Sequence, residues 1–273
     1  MQRSIFIHIP KTGGTTLKNI FKQHYSNSMK VISPDFTMKD LLSSNESKLN
    51  SIYNLYGVLP YGLDNIFPHK MHYLSMLRHP VKRLFSLYRY FCYDKAEGFH
   101  KIIPKKEQNS ITSFVENIDK YTNIHGNNAQ TRLLAGGKIA DNLCYDPHVN
   151  TYDLNTLFEK AKYNIQNQFL FIGTTELFDE SIILMKKYLE WRTPIFYLKR
   201  NITQKRKTNL SKEVINLIKE KNQYDMQLYD IVNQNLINEI NETSQTIKKE
   251  KRKLKFNNSI YTFYRNHIRK FVK

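Results

Sequence analysis

The chain has 273 residues, enough for one large domain or two small ones, and its 40% hydrophobic residues suffice for a substantial core. This composition excludes a repeat array, a collagen-like chain and a disordered protein. The 42 Lys and Arg residues outnumber the 24 Asp and Glu residues, which gives a formal net charge of +18. Such a charge attracts nucleic acid, anionic lipid, acidic polysaccharide or anionic nucleotides. The same surplus of positive charge is also explained by abundant lysines that only keep the surface solvated.

The sequence lacks the signals of membrane insertion. No apolar run approaches the roughly 18 residues of a membrane span, and the apolar stretch 5–10 is too short for a signal-peptide core. The two cysteines, Cys92 and Cys144, are too few for a disulfide scaffold or a zinc site. We therefore expect a soluble, cytoplasmic protein of bacterial type, with peripheral membrane association through its basic C-terminal segment left open.

The first predicted elements form the start of an α/β unit. Residues 4–9 (SIFIHI) are a short apolar run typical of a buried strand, in which His8 is expected to pack. A Pro-Lys-Thr-Gly-Gly-Thr-Thr loop follows. Apolar residues then recur at the spacing of an amphipathic helix, namely Leu17, Ile20, Phe21 and Tyr25. The succession of strand, glycine loop and helix predicts the α/β class.

A second unit follows a polar segment. Residues 26–70 are rich in turn signals, and no regular element is predicted there. Residues 73–77 (YLSML) predict a second buried strand, which leads into a helix whose first turn accommodates Pro80. The apolar face of this helix comprises Val81, Leu84, Phe85, Tyr88 and Phe91 or Cys92. Arg83 and Ser86 fall on another face.

The second half of the chain gives weaker signals. Residues 94–125 are charged and without a sustained period, as in an insertion. Residues 169–172 (FLFI) predict a third strand, followed by a helix over about 178–191, and 211–241 is helical again. The basic segment 244–273 is expected to be a solvated terminal helix, with a disordered arm or a membrane-surface helix as alternatives.

The loop after the first strand is a predicted anion site. Its candidate ligands are Lys11, Thr12, Gly13, Gly14, Thr15 and Thr16. A strand that ends at a helix N-terminus directs free backbone amides and the positive end of the helix dipole at one point. The glycines allow close backbone approach, the lysine adds charge, and the hydroxyls donate hydrogen bonds. In the Walker A pattern the lysine follows the glycines, whereas here it precedes them.

The stretch 6–17 (FIHIPKTGGTTL) closely resembles the 5′-phosphosulfate loop of the carbohydrate sulfotransferases, the group that includes the heparan sulfate O-sulfotransferases. The resemblance implies a three-layer fold like that of P-loop kinases, with a central, mostly parallel sheet flanked by helices. It also implies that the donor is PAPS (3′-phosphoadenosine 5′-phosphosulfate), with PAP as its product. On this basis 1–243 is the sulfotransferase domain and 244–273 a basic tail.

The family's second signature is an arginine at a strand end with a serine eight residues later, which together hold the 3′-phosphate of the donor. The segment LRHPVKRLFSLYRYF carries Arg78 and Ser86 at that spacing. A strand's carboxyl end is where open α/β sheets bind ligands, which agrees with this assignment. Arg83, one turn before Ser86, is expected to add positive charge.

Three later blocks extend the resemblance to about residue 235. Residues 127–132 and Gly136 resemble an N-x-Q-T-R stretch, and 171–181 resembles F-x-G-x-T-E-x-F-D-E-S. Tyr197 and 201–207 resemble a late loop that closes over the nucleotide, which makes Arg206 a candidate donor ligand. Within the second block, Glu176 and Asp179 are equally well explained as acidic residues at a helix N-terminus, where they interact favourably with the helix dipole.

Sulfuryl transfer needs positioning, charge stabilisation at the leaving oxygen and a base. The resemblance assigns Lys11 to the leaving oxygen, and no metal is expected. Related enzymes carry the base as a Gly-His pair before a Pro-Tyr-Gly turn, but Val58 stands at that position here. The remaining candidates for the base are His24, His69 and His72.

The leading hypothesis is a PAPS-dependent carbohydrate O-sulfotransferase acting on a saccharide or polysaccharide, possibly acidic. A second keeps the donor and changes the acceptor to a protein, lipid or small alcohol. A third follows from Val58 and makes the chain a catalytically impaired module that binds nucleotide or acidic glycan. No recognition helix or zinc finger supports a nucleic-acid partner, and the oligomeric state stays open.

Overall fold

The computed structural model describes residues 1–93, 103–122, 125–136, 153–198 and 210–268. The strands are β1 Ser4–Ile7, β2 Met29–Val31, β3 Asn54–Gly57, β4 His72–Leu77 and β5 Phe169–Thr174. The helices are α1 Gly14–Tyr25, α2 Met38–Leu42, α3 Glu46–Asn50, α4 Pro80–Cys92, α5 Lys105–Asn109, α6 Ile111–Asn117, α7 Ala129–Ala135, α8 Leu154–Asn167, α9 Phe178–Tyr188, α10 Lys212–Lys221, α11 Gln223–Glu242 and α12 Ser244–Phe263.

The five strands form one sheet in the order β2-β3-β1-β4-β5, and every described pair is parallel. This confirms the predicted α/β class with helices on both faces of a parallel sheet. Strand β1 lies in the centre between β3 and β4. Because all strands point the same way, the segments that follow them emerge at one edge, which we call the carboxyl edge.

Each sheet face has its own hydrophobic core. Along β1 the side chains alternate, so that Phe6 joins the core beneath α1 and α9, whereas Ile5 and Ile7 join the core beneath α7, α8 and α11. A third cluster joins α4, α6 and α10. The predicted apolar residues of α1 are all buried in the first of these cores. Burial on both sides explains why β1 and β4 are continuous apolar runs.

The middle of the chain contains elements that the sequence pattern did not predict. Segment 26–70 contains β2 and β3, which are only three and four residues long. Strands this short lie between polar turns and give little periodic signal. Segment 94–125 contains α5 and α6, and Phe114 and Val115 of α6 are buried in the third cluster.

The C-terminal segment forms α12, and the turn 264–268 follows it. The helix is not solvated all round, because Ile247 and Leu254 are buried in the same core as α1 and α9. The division between a domain ending at 243 and a separate tail stays a prediction. Among the described helices, none has the length and apolarity needed to cross a membrane.

Candidate active site

The two predicted phosphate motifs lie side by side at the carboxyl edge. The loop around Lys11 follows β1 and Arg78 follows β4, and these strands are neighbours, with Ile7 paired to Ser75. Arg78 donates a hydrogen bond from Nη1 to the carbonyl oxygen of Lys11 at 3.0 Å. Burial lowers the pKa of Arg78, which the nearby Glu176 opposes. The guanidinium has four further N–H donors for a ligand.

Ser86 lies on the same side of the fold, on α4. It is half-buried and stands six residues after Pro80, which begins α4. That separation corresponds to about 9 Å along the helix axis. A single ligand that contacts both Arg78 and Ser86 would therefore have to extend along the first two turns of α4.

The loop presents the N-terminus of α1 without a protein cap. Gly13 is the N-cap residue and has φ 83°, a left-handed conformation that favours glycine. Its lack of a side chain leaves the cap without a side-chain hydrogen bond, and the first turn of α1 contains no acidic residue. The first backbone amides of α1 therefore have no local side-chain acceptor, which is the arrangement that binds an external anion.

Thr12 and Lys11 shape the loop. The Thr12 hydroxyl is fully buried and donates to the carbonyl oxygen of Ile9 at 2.7 Å, so in this structure it stabilises the turn. Lys11 has φ 72°, an uncommon conformation for a residue with a side chain, which is typical of functional loops. The Lys11 ammonium lies 3.8 Å from the centre of the Tyr90 ring of α4.

Gly14 makes room for His8. A Cβ atom on Gly14 would lie 2.1 Å from Cε1 of the His8 ring, so only glycine fits there. The His8 ring stacks on Tyr56, whose hydroxyl donates to the carbonyl oxygen of Gly14 at 2.9 Å. Burial lowers the pKa of His8 to about 3, and the neighbouring His125 and Lys11 contribute. His8 therefore packs as predicted, but it does so directly beneath the loop.

The three histidines considered as bases do not lie at the carboxyl edge. His72 begins β4, about 16 Å before the end of that strand. His69 contacts Arg3 and Asn50 at the same amino edge. His24 lies in the last turn of α1, about 15 Å from Gly14, where it stacks on Trp191.

The structure brings a different histidine to the loop. His125 is not among the residues predicted for the site, because it lies in the segment interpreted as an insertion. Its Nδ1 is 2.8 Å from the hydroxyl of Thr122. Burial lowers the pKa of His125 to about 4, and the charges of Arg83 and Lys11 contribute. A neutral imidazole with one nitrogen held by a hydroxyl is an oriented proton acceptor.

Nearly the whole chain matches a known family. The model of the galactose-3-O-sulfotransferase family matches residues 2–262. The chain belongs to this family. It is therefore a carbohydrate sulfotransferase, which confirms the family predicted from the two phosphate motifs and makes the chain an enzyme that acts on saccharides. A search of curated proteins finds no match.

A buried ion pair supports the active-site edge of this sulfotransferase. Arg83 was expected on a face of α4 other than the apolar one, but it is fully buried. Its Nη1 and Nη2 donate to the carbonyl oxygens of His125 and Gly126 at 3.0 and 2.7 Å. Its Nη2 also lies 3.9 Å from Asp225, which is equally buried. Arg83 thus fixes the backbone that carries His125, and the expectation that it adds positive charge at the phosphate site stays a prediction.

Asp225 extends this pair to α7, within the stretch that resembles N-x-Q-T-R. Its carboxylate accepts hydrogen bonds from the backbone amides of Gln130 and Thr131 at 3.2 and 2.7 Å. The side-chain oxygen of Gln130 accepts from the backbone amide of Arg78 at 2.9 Å. The block 127–132 therefore positions the backbone of Arg78 through Gln130.

The end of β5 completes the edge. Glu176 accepts a hydrogen bond from the backbone amide of His79 at 3.4 Å and lies 3.4 Å from the Lys82 ammonium. The ring of Phe178 lies against Gly13, and Tyr197 hydrogen-bonds to Asp179. Arg206 and the rest of the late loop lie outside the described residues.

Proposed function

We propose that this sulfotransferase moves a sulfuryl group from PAPS to a hydroxyl of a carbohydrate. One observation supports the donor above all: the uncapped α1 loop and Arg78 lie at neighbouring strand ends and are joined by a 3.0 Å hydrogen bond. PAPS carries anionic groups at both its 5′ and 3′ positions, so it needs two adjacent anion sites. The loop amides, Thr15 and Thr16 would bind the phosphosulfate, and Arg78 and Ser86 the 3′-phosphate.

In the proposed step the acceptor oxygen attacks sulfur in line with the bridging phosphate oxygen. The new bond joins the acceptor oxygen to sulfur, and the bond from sulfur to the bridging oxygen breaks. Its electron pair stays on PAP, and the acceptor proton passes to a base. Lys11 would stabilise the leaving oxygen. Its long side chain allows the ammonium, 3.8 Å from the Tyr90 ring centre in this structure, to turn towards that oxygen.

We propose His125 as the base in place of the histidine that Val58 replaces. Arg83 anchors its backbone and Thr122 holds its Nδ1, so the ring has a defined orientation. It interacts electrostatically with Lys11, the proposed contact of the leaving oxygen. The negative charge of bound PAPS would offset the cations that lower its pKa, and so strengthen it as a base when the donor is present.

Galactose-containing glycans are the first acceptors to screen, because the family is named for galactose 3-O-sulfation. The net charge of +18 favours acidic members of that set.

Calorimetric titration with PAP, in EDTA and with ATP as the control ligand, tests the donor assignment. We expect PAP to bind and ATP to bind much more weakly. Arg78→Ala should weaken PAP binding roughly 10–150-fold, and Ser86→Ala roughly 2–10-fold, which correspond to charged and neutral hydrogen bonds. Lys11→Ala should reduce turnover more than PAP affinity. A preference for ATP with magnesium, or unchanged affinity in both phosphate-site variants, would overturn the assignment.

A further inference from the structure

One side of α12 presents large apolar side chains to solvent. The exposed fractions are 66% for Phe256, 54% for Ile260, 60% for Phe263 and 48% for Tyr264. The successive steps between them are four, three and one residues, so the first three lie on one side of α12 and Tyr264 continues that side directly after the helix ends. Exposed hydrophobic residues scattered singly are ordinary, whereas a contiguous row of four marks an interaction surface.

The opposite side of α12 is fixed to the protein. Ile247 and Leu254 are buried at 4% exposure each. Asn257 donates to the carbonyl oxygen of Ile195 at 3.2 Å, and Asn258 accepts from the backbone amide of Tyr197 at 2.7 Å. These contacts set the rotation of the helix, so the apolar row cannot turn inward without breaking them.

Basic residues continue the same side of the helix towards its N-terminus. Lys249, Arg252 and Lys253 are exposed and precede Phe256 by one to two turns. Across its whole length α12 has six basic residues and a single acidic residue, Glu250. We call the exposed row from Lys249 to Tyr264 the outer stripe; it is basic in its first half and apolar in its second.

We propose that the outer stripe docks on an anionic lipid surface. Aromatic and aliphatic side chains next to lysines and arginines on one helix face suit the boundary between headgroups and acyl chains. Arg252 and Phe263 also line a cavity beside α12, whereas Phe256, Ile260 and Tyr264 lie outside it and are open to a flat surface such as a membrane. A second copy of the chain would bring two highly basic helices together, which like-charge repulsion opposes. This inference does not depend on the identity of the sulfate donor.

Cosedimentation with lipid vesicles tests the proposal. The protein should bind vesicles that contain about 30% phosphatidylglycerol in phosphatidylcholine. Its binding to vesicles of phosphatidylcholine alone should be much weaker, because each basic residue near an anionic surface raises the partition coefficient roughly fivefold. Replacing Lys249, Arg252 and Lys253 with Gln should lower the partition coefficient about 100-fold. Replacing Phe256, Ile260 and Phe263 with Ser should lower it at least as far.

Matched variants control for net charge and apolarity. Lys105→Gln with Lys106→Gln removes exposed positive charge from α5, and Tyr163→Ser removes an exposed aromatic residue from α8. Neither should change vesicle binding more than about twofold. Equal losses in the control and stripe variants would mean that net charge or general apolarity explains the binding, and would overturn the proposal.

A fluorescent variant reports insertion directly. Phe263→Trp places a reporter on the stripe, while the native Trp191 is 3% exposed and should be insensitive. We expect its emission to shift to the blue on anionic vesicles. An unchanged emission spectrum would overturn the membrane proposal. Heparin binding that survives the serine substitutions would indicate an acidic polysaccharide as the partner instead. Concentration-dependent dimers that those substitutions abolish would indicate a second copy of the chain.

Discussion

At the scale of single residues, the proposal that His125 is the base has a direct test. His125→Gln is expected to lower kcat by about 10²–10⁴-fold, the usual contribution of general base catalysis. The affinity for PAP should change little, because the phosphate-site residues are untouched. Steady-state turnover and PAP titration on the same preparation separate the two effects.

The pH dependence distinguishes a base from a structural residue. The base must be neutral, and burial with the nearby Arg83 and Lys11 lowers the pKa of His125 to about 4. The acid limb of kcat/KM for PAPS should therefore lie below pH 6.5 and disappear in the Gln variant. His8→Gln is the matched control, because His8 also lies beside the loop. If His8→Gln loses turnover and His125→Gln does not, His8 rather than His125 is the base.

Gly14 is the second residue whose identity has a direct consequence. Gly14→Ala would place Cβ 2.1 Å from the His8 ring, so the ring or the loop must move. We expect a loss of about 1–3 kcal/mol of stability from overpacking, with weaker PAP binding. Removing the ring by His8→Ala in the same chain should restore much of the loss. Additive effects in this double-mutant cycle would show that the two residues do not share one space.

At the scale of elements, the buried pair of Arg83 and Asp225 joins α4, α7 and α11. Arg83→Met would remove the cation paired with the buried carboxylate of Asp225, which would keep its hydrogen bonds to α7 and its interaction with the charge of Arg132. We expect the free energy of unfolding to fall by about 3–5 kcal/mol, as when one partner of a buried pair is removed. Denaturant unfolding measures this change.

The exposed Lys105 supplies the comparison for that experiment. Lys105→Met removes the same charge from the surface of α5 and should change stability by less than about 0.5 kcal/mol. A similar small effect of Arg83→Met would mean that the pair does not stabilise the active-site edge.

On the scale of the whole molecule, buried histidines should make stability depend on pH. Burial lowers the pKa of His8 to about 3 and of His24 and His125 to about 4, whereas the unfolded chain has values near 6.5. Between pH 6.5 and 4 the unfolded chain therefore binds more protons than the folded protein. Stability should be complete above pH 6.5 and fall as the pH decreases, by at most about 1.4 kcal/mol per pH unit for each group.

Thermal unfolding between pH 7.5 and 5 measures this dependence. His24→Gln should flatten it without affecting donor binding, because His24 lies at the far end of α1 from the loop. An identical slope in the wild type and in His24→Gln would contradict the expected burial effect.

The fold could be predicted in outline because β1, β4 and α1 carry strong local patterns. Strand β3 could not, since its four residues gain their structure from pairing with β1 rather than from periodicity. The same holds for Arg83, whose burial depends on Asp225, a partner far along the chain. A sequence pattern places an arginine on a helix face, but only packing decides what covers that face.

By itself, the sequence determined the α/β class and the glycine loop before α1, and its motif spacing led to the proposal that Arg78 and Ser86 bind one phosphate. These features depend on neighbouring residues, whose spacing the sequence shows directly. Only the tertiary structure decided that His72, His69 and His24 lie away from the loop and that His125 lies near Lys11. Strand order and loop packing set those distances, because they bring together residues that no local pattern relates.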